Sequence, residues 1–442
     1  MHSHPARRWR IALILGLFVA LVAAALAQER TVPQVGCRAE WERPTDVLAH
    51  TPGDELFLGV LHPEAALFER AFDLEGAAAE HRAYLDLLRE RGVRVHTVVE
   101  ALLVGTLDGD GEPIESAALE DLRAFAQSAL TVDASALPET EQAEQRRYAA
   151  ETIRSLHPRE LVRVILERPT VHLRPSLVPN TRYSATYEVA PVMNLYFCRD
   201  QQITTARGVV MGRMNSEQRA VEIDILRFAL HKLGVQPICA VTGEGRLEGG
   251  DFLPAGDVAF IGQGLRTNAE GVRQLLENDV FGTDRVVVVK DPWQNQDQMH
   301  PDTYFNIVGP DLAVLVADRM DVRDQRGALV SPAREDRRCT IDVYQRREGR
   351  YTRVVEDGDF QEFLEEEMGF RLIAVPNEDQ LRYGVNFLCV GPGEILGIAG
   401  VSAGYRASLA GVDATWMDFG NLTGGYGAAH CAVQVLHREP PK

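Results

Sequence analysis

The sequence predicts an α/β fold built from repeated strand–helix–strand units, and three observations carry that prediction. Short apolar runs alternate with longer amphipathic ones along most of the 442 residues. The same alternation recurs several times, and a single stretch, from Ile114 to roughly Arg168, interrupts it with sequence rich in alanine, glutamate and leucine. Single cores stop growing at about 250–300 residues, so a chain this long forms several modules or one large repetitive fold.

The elements follow in order. Val47–His50 reads as a strand, Glu75–Gly92 as an amphipathic helix closed by glycine, and Val93–Val99 as the next strand. Residues 114–168 read as a helical insertion. The rhythm then resumes: Gly208–Met211 precedes a helix over Ser216–Leu233, Val258–Ile261 precedes Asn268–Asn278, and Val286–Val289 opens a further unit. Phe360–Met368 is a helix, and Leu388–Val390 with Ile395–Ile398 forms a hairpin across Gly391-Pro392-Gly393. Ala432–Leu436 is a final strand. The chain therefore reads as a series of ββαβ-type modules.

Composition narrows the function. With 45% apolar and 25% charged residues the chain has the core material of a globular protein. Its formal charge of −18, with no basic run beyond the first ten residues, lacks the footprint that binds phosphate backbones, so nucleic acid is not an expected partner. An acidic surface suits a cationic small molecule, and equally serves solubility. Arg7, Arg8 and Arg10 precede an apolar run from Ile11 to about Ala24, and Ala25-Leu26-Ala27 supplies a small-x-small cleavage pattern. Residues 1–27 are thus expected to be a signal peptide, with the protein exported to the periplasm or secreted; uncleaved, the same run is a membrane anchor. Six cysteines, at 37, 198, 239, 339, 389 and 431, are too sparse for a disulfide scaffold, and no C-x-x-C pair suggests zinc.

Four short segments carry candidate chemistry. In Asn194–Asp200 an apolar strand runs into Arg199-Asp200, a dipeptide that is ordinarily a surface ion pair. Leu247–Asp251 places two glycines between Glu248 and Asp251, which permits a tight turn and brings both acids toward one point. In Met299–Thr303, an extended backbone puts His300 and Asp302 on one face, although such a pair beside Pro301 can also cap a turn. Gly424–Cys431 is a run of small residues ending in His430-Cys431 before a strand, where a nucleophilic thiol or a merely buried one would sit.

Taken together, F-x-R-D at Phe197–Asp200, E-G-G-D at Glu248–Asp251, M-H-x-D-T at Met299–Thr303 and the glycine-rich His430-Cys431 resemble the arginine deiminases of the guanidine-modifying, or amidinotransferase, superfamily. The resemblance runs from about Trp41 to the end, and implies one catalytic domain over 38–442 with the helical insertion at 114–168 inside it. It implies a five-bladed, pseudo-symmetric ββαβ propeller. It also implies that Cys431 is the nucleophile, His300 the general acid and then base, Glu248 its partner, and Asp200 and Asp302 the grip on the guanidinium. Asn194, Phe197, Arg199 and Asp251 would line the substrate. The chemistry agrees independently, because a guanidinium ion is resonance-stabilised and permanently charged: attack on its carbon needs carboxylates to fix the planar fork and a soft, strong nucleophile. The product would be of the citrulline type, formed through a thiouronium on Cys431, with no metal or organic cofactor required.

The family holds the α-carboxylate of arginine with arginines, and spacing puts Arg219 and Arg266 at two such places. A third, five residues before the nucleophile, is occupied here by Tyr426, and Pro301 replaces an aliphatic residue. Free arginine is the leading substrate. Another guanidino compound, dihydrolase or amidinotransferase chemistry, or an extracytoplasmic arginine-binding protein are the alternatives. The sequence leaves the oligomeric state open and admits a homo-oligomer.

Overall fold

The computed structural model describes residues 32–324 and 326–440. The expected signal segment, 1–27, lies outside the described residues. Six sheets share one pairing pattern, in which a strand runs antiparallel to one neighbour and parallel to the other; one of them, Thr131–Asp133 with Pro169–Pro175 and Tyr183–Val189, arises from the 114–168 stretch and the hairpin after it, and the other five are spread over the rest of the chain. In the first, Arg43–Ala49 is antiparallel to Val433–Glu439 and parallel to Arg94–Thr97. Gly208–Met211 lies between Gln202–Thr205 and Cys239–Ala240, and Val258–Gln263 between Phe252–Ala255 and Arg285–Lys290. Leu312–Val316 lies between Phe305–Gly309 and Arg371–Val375, and Glu394–Ile398 between Leu388–Gly391 and Asp413–Met417. Antiparallel partners are joined by tight turns in four of these sheets, whereas parallel ones need a crossover, which the helices supply.

The helix over Leu74–Glu90 shows how the sequence builds a crossover. Asp73 caps it by accepting from the Gly76 N–H at 2.9 Å. Ala77, His81, Tyr84, Leu85 and Leu88 fall on one face and are buried. Gly92, at φ +80°, ends it in the left-handed region where a side chain is strained. The strand after it stops at Thr97, because Thr97 and Glu100 form a capping box that starts a helix over Val98–Leu103.

Between 114 and 168 the structure has helices over Ala117–Ala129, Glu139–Ser155 and Pro158–Glu167, with a short strand, Thr131–Asp133. They lead into an antiparallel hairpin, Pro169–Pro175 with Tyr183–Val189, which the sequence reading did not anticipate. A second unanticipated hairpin, Thr340–Arg347 with Arg350–Asp359, widens one of the five sheets to five strands. None of the six cysteines is in a disulfide, and among the described residues no helix is long and apolar enough to cross a membrane.

Candidate active site

The small-residue run before Cys431 lets the chain press against the segment that follows Asn194. A side chain at Gly425 would collide with the Tyr196 hydroxyl, and one at Gly427 with the Phe197 ring. Tyr426 between them sits at φ +73°, a conformation that costs a non-glycine residue free energy and recurs at functional loops. Asn386 then ties the loop to the rest of the site. Its Oδ1 accepts from the backbone N–H groups of Ala428 (3.1 Å) and Cys431 (3.3 Å), and its Nδ2 donates to the Asp302 carbonyl at 3.0 Å. Nothing in the sequence around Asn386 marks it, since its role comes from a loop that meets two motifs only in space.

His300 and Asp302 do come together, although not on an extended strand. Pro301–Thr303 is a 3-10 turn with His300 as its extended N-cap, because proline at the first turn position favours a helical start. The turn leaves His300 Nδ1 4.0 Å from Asp302 Oδ1, with His300 Nε2 3.2 Å from Glu248 Oε2. Cys431 Sγ lies 3.7 Å from Asp302 Oδ2, and all four side chains are buried. Asp200 is anchored by Arg219, whose Nη1 donates to Oδ2 at 2.8 Å. The Oδ1 atoms of Asp200 and Asp302 are both buried and have no hydrogen-bond partner.

The remaining predicted residues divide. Arg219 is committed to Asp200 and to Glu222 (2.9 Å), while Asn194 Nδ2 donates to the Ala66 carbonyl at 2.8 Å. Arg199 does not face the cavity: its Nη2 bonds Glu40 at 3.0 Å and the Phe252 carbonyl at 2.9 Å, which puts it in a buried ion network beneath Asp302. That placement suits a cationic ligand, since a second cation beside it would repel it. Phe197 is buried against Gly427 of the loop and within an apolar cluster that includes Cys431. Asp251 is buried, and its Oδ2 has no hydrogen-bond partner. Arg266 donates to Gln296 at 2.9 Å and to the Met299 sulfur at 3.7 Å. Tyr426 lines a cavity of about 200 Å³ with Glu69, Asp297, Met299, Thr303, Tyr383 and Asn386, its hydroxyl 3.5 Å from Asp297 Oδ1.

Charge and burial set the protonation states. Burial pushes the Cys431 thiol well above its ordinary range, and the Asp302 and Asp200 carboxylates push it further. Burial opposes a charge on His300, but Asp251, Glu248 and Asp200 outweigh it and raise the imidazole to about 9. Burial likewise raises Asp302, yet hydrogen bonding to His430 and the charges of His430, His300 and Arg199 hold it below its ordinary value. Burial pushes Asp251 up to about 7. Among the described residues no three His, Cys, Asp or Glu side chains are grouped as a metal ion would need. The site therefore offers a protonated thiol, an imidazolium and two carboxylates with open oxygens.

Comparison with known proteins adds to this geometry. A family model described as arginine deiminase matches residues 64–438. The arginine deiminase of Halobacterium salinarum is 27% identical, the alignment covering 92% of this chain and 97% of that protein. That of Rhodococcus erythropolis is 26% identical over 92% of this chain and 98% of its own length. Among solved structures, an amidinotransferase from Microseira wollei superposes with a TM-score of 0.50 at 13% identity, covering 92% of this chain and 98% of that one, a likeness of fold alone.

Proposed function

This chain belongs to the arginine deiminase family, and from that premise we propose that it hydrolyses the guanidinium group of free L-arginine to citrulline and ammonia, with Cys431 as nucleophile. The observation that carries the proposal is the pair of orphaned carboxylate oxygens, Oδ1 of Asp200 and Oδ1 of Asp302, whose charges both reach the Cys431 thiol. Buried anions without partners are costly, and a planar cation with several N–H donors relieves both at once.

Charge then orders the steps. Before substrate binds the thiol keeps its proton; the incoming guanidinium offsets the field of the two aspartates, so the thiolate forms with substrate in place and its proton passes to solvent water. Sγ bonds to the guanidinium carbon. His300, an imidazolium below about pH 9, protonates one terminal nitrogen, the C–N bond breaks, and ammonia departs from a thiouronium on Cys431. Neutral His300, steadied by Glu248, takes a proton from water as its oxygen attacks the same carbon. The C–S bond breaks, the hydroxyl proton passes to the leaving sulfur, and citrulline is released with the thiol restored.

The direct test incubates the purified protein with arginine, agmatine and a short arginine peptide and identifies each product by mass. Citrulline from arginine supports the proposal, ornithine or a transferred amidine points to the other chemistries, and no conversion sinks it. The alkaline side of the pH profile gives a second check: kcat/KM falls with a midpoint near 9 as His300 loses its proton. Were the same limb to persist in the residual activity of His300→Asn, the titrating group would lie elsewhere.

A second substrate reading rests on Tyr426, whose hydroxyl faces Asp297 while Glu69 lines the same cavity. Two carboxylates there favour a cationic or uncharged far end over a carboxylate. Free arginine then binds with Arg266 as its main charged donor, since Arg219 is already matched by Asp200 and Glu222. A hydrogen bond to a charged group is worth about 1.5–3 kcal/mol, or roughly ten- to a hundredfold in affinity. Tyr426→Arg is therefore expected to lower KM for arginine by about that factor and to leave agmatine, which lacks the carboxylate, little changed. Equal effects on both substrates show that residue 426 does not meet the carboxylate. At the level of fold, the recurrence of this pairing in five sheets outside the 114–168 stretch and its hairpin supports reading those five as blades of one pseudo-symmetric propeller, with 114–168 as an insertion in it.

A further inference from the structure

His430, immediately before the nucleophile, is fully buried and takes no part in the steps above. Its Nδ1 lies 2.7 Å from Asp302 Oδ2, the shortest contact that carboxylate makes. Its Nε2 has no hydrogen-bond partner and lies 3.6 Å from Glu40 Oε2. Glu40 is in turn held by Arg199 at 3.0 Å and by Arg438 at 2.5 Å, and Arg199 Nε comes within 3.9 Å of Asp302 Oδ2. The buried groups facing the imidazole are thus Asp302 and Glu40, backed by Arg199 and Arg438, with Cys431 next in the chain.

We propose that His430 is a positioning residue for the reaction: its Nδ1–H fixes Oδ2 of Asp302, so that Asp302 meets the substrate ionised and with Oδ1 free for the guanidinium. The inference rests on the deimination reading. A carboxylate gripping a planar cation must hold one orientation, and a carboxylate rotor with a single strong donor on one oxygen is locked by it. An ionised Asp302 accepts only, so a proton sits on Nδ1. Arg199 and Arg438 neutralise Glu40, which keeps the imidazole oriented toward Asp302 instead of competing for it. Two residues adjacent in sequence, His430 and Cys431, then act on opposite partners of one event, one by setting the cation grip and the other by attacking what it grips.

The amide nitrogen of asparagine can take the place of Nδ1, whereas that of glutamine reaches toward Nε2. The experiment compares His430→Asn, His430→Gln and His430→Leu for thermal stability, for kcat/KM from pH 5 to 10, and for calorimetric arginine binding in a Cys431→Ala background. His430→Leu and His430→Gln are expected to lose about ten- to a hundredfold in kcat/KM and in binding, the scale of one hydrogen bond to a charged group. Their acid limb moves to higher pH, because Asp302 without its donor takes up a proton more readily. His430→Asn recovers most of both and keeps the wild-type limb. Equal losses in the three variants without a shifted limb, or no loss in any, overturn the proposal while leaving deimination standing. A wild type that neither hydrolyses nor binds arginine overturns both.

Discussion

Replacement of Cys431 by alanine or serine is expected to abolish arginine hydrolysis, by about a million-fold, the scale on which removal of a nucleophile acts in covalent hydrolases. Serine does not rescue, because its hydroxyl is a far weaker nucleophile toward a resonance-stabilised carbon, and the two aspartates that raise the thiol would raise a hydroxyl as well. Alanine keeps the grip: Asp200, Asp302 and His300 remain, so the variant still binds arginine. Wild-type protein quenched during turnover carries an adduct on the peptide containing Cys431. Retained activity in the alanine variant, or an adduct on another cysteine, would remove Cys431 from the mechanism.

The second large effect is expected from the grip itself. Asp200→Asn and Asp302→Asn each leave a buried cation facing one neutral amide, and breaking such a buried pair costs roughly 3–5 kcal/mol, or about two to four orders of magnitude in kcat/KM. The two variants differ in what they do to the fold. Arg219 loses Asp200 but keeps Glu222 at 2.9 Å, so Asp200→Asn stays close to wild type in Tm. Asp302→Asn also removes the charge that His430 meets, and is the less stable of the two. Near-normal kinetics in either variant would make that acid structural.

Much of the fold was legible because its buried strands are apolar runs bounded by turns. Val258–Gln263 and Arg285–Lys290, buried through their middles, show this plainly. The hairpin over Pro169–Val189 was not legible, since its second strand is exposed along nearly its whole length and has no apolar face to repeat. The hairpin over Thr340–Asp359 hid behind charge: its strands are joined across by pairs such as Arg353 with Asp342, which read in sequence as a solvated loop. At the site, motifs located Cys431, His300, Asp302 and Glu248, whose side chains form one contact chain. They could not reveal Glu40 or Asn386, single residues in unremarkable contexts that matter only through long-range contacts. Nor could they tell that Arg199 turns away from the cavity, because Asn194–Asp200, read as an apolar strand, is a series of turns, where packing sets the direction of each side chain.

The strand that follows Cys431, Val433–Glu439, is paired with Arg43–Ala49, and the Cys37 thiol donates to the Val435 carbonyl across 398 residues. Joining segments so distant in the chain is entropically demanding and late, whereas the helices and local hairpins between them form early. Cys431 is thus expected to reach Asp302 through one of the last contacts to be made. The order implied is that the Cys431 thiol stays apart from Asp302 until the two ends of the chain pair. On that order, a chain in which this pairing has not formed is expected to lack the Cys431–Asp302 contact altogether rather than to hold a weakened version of it.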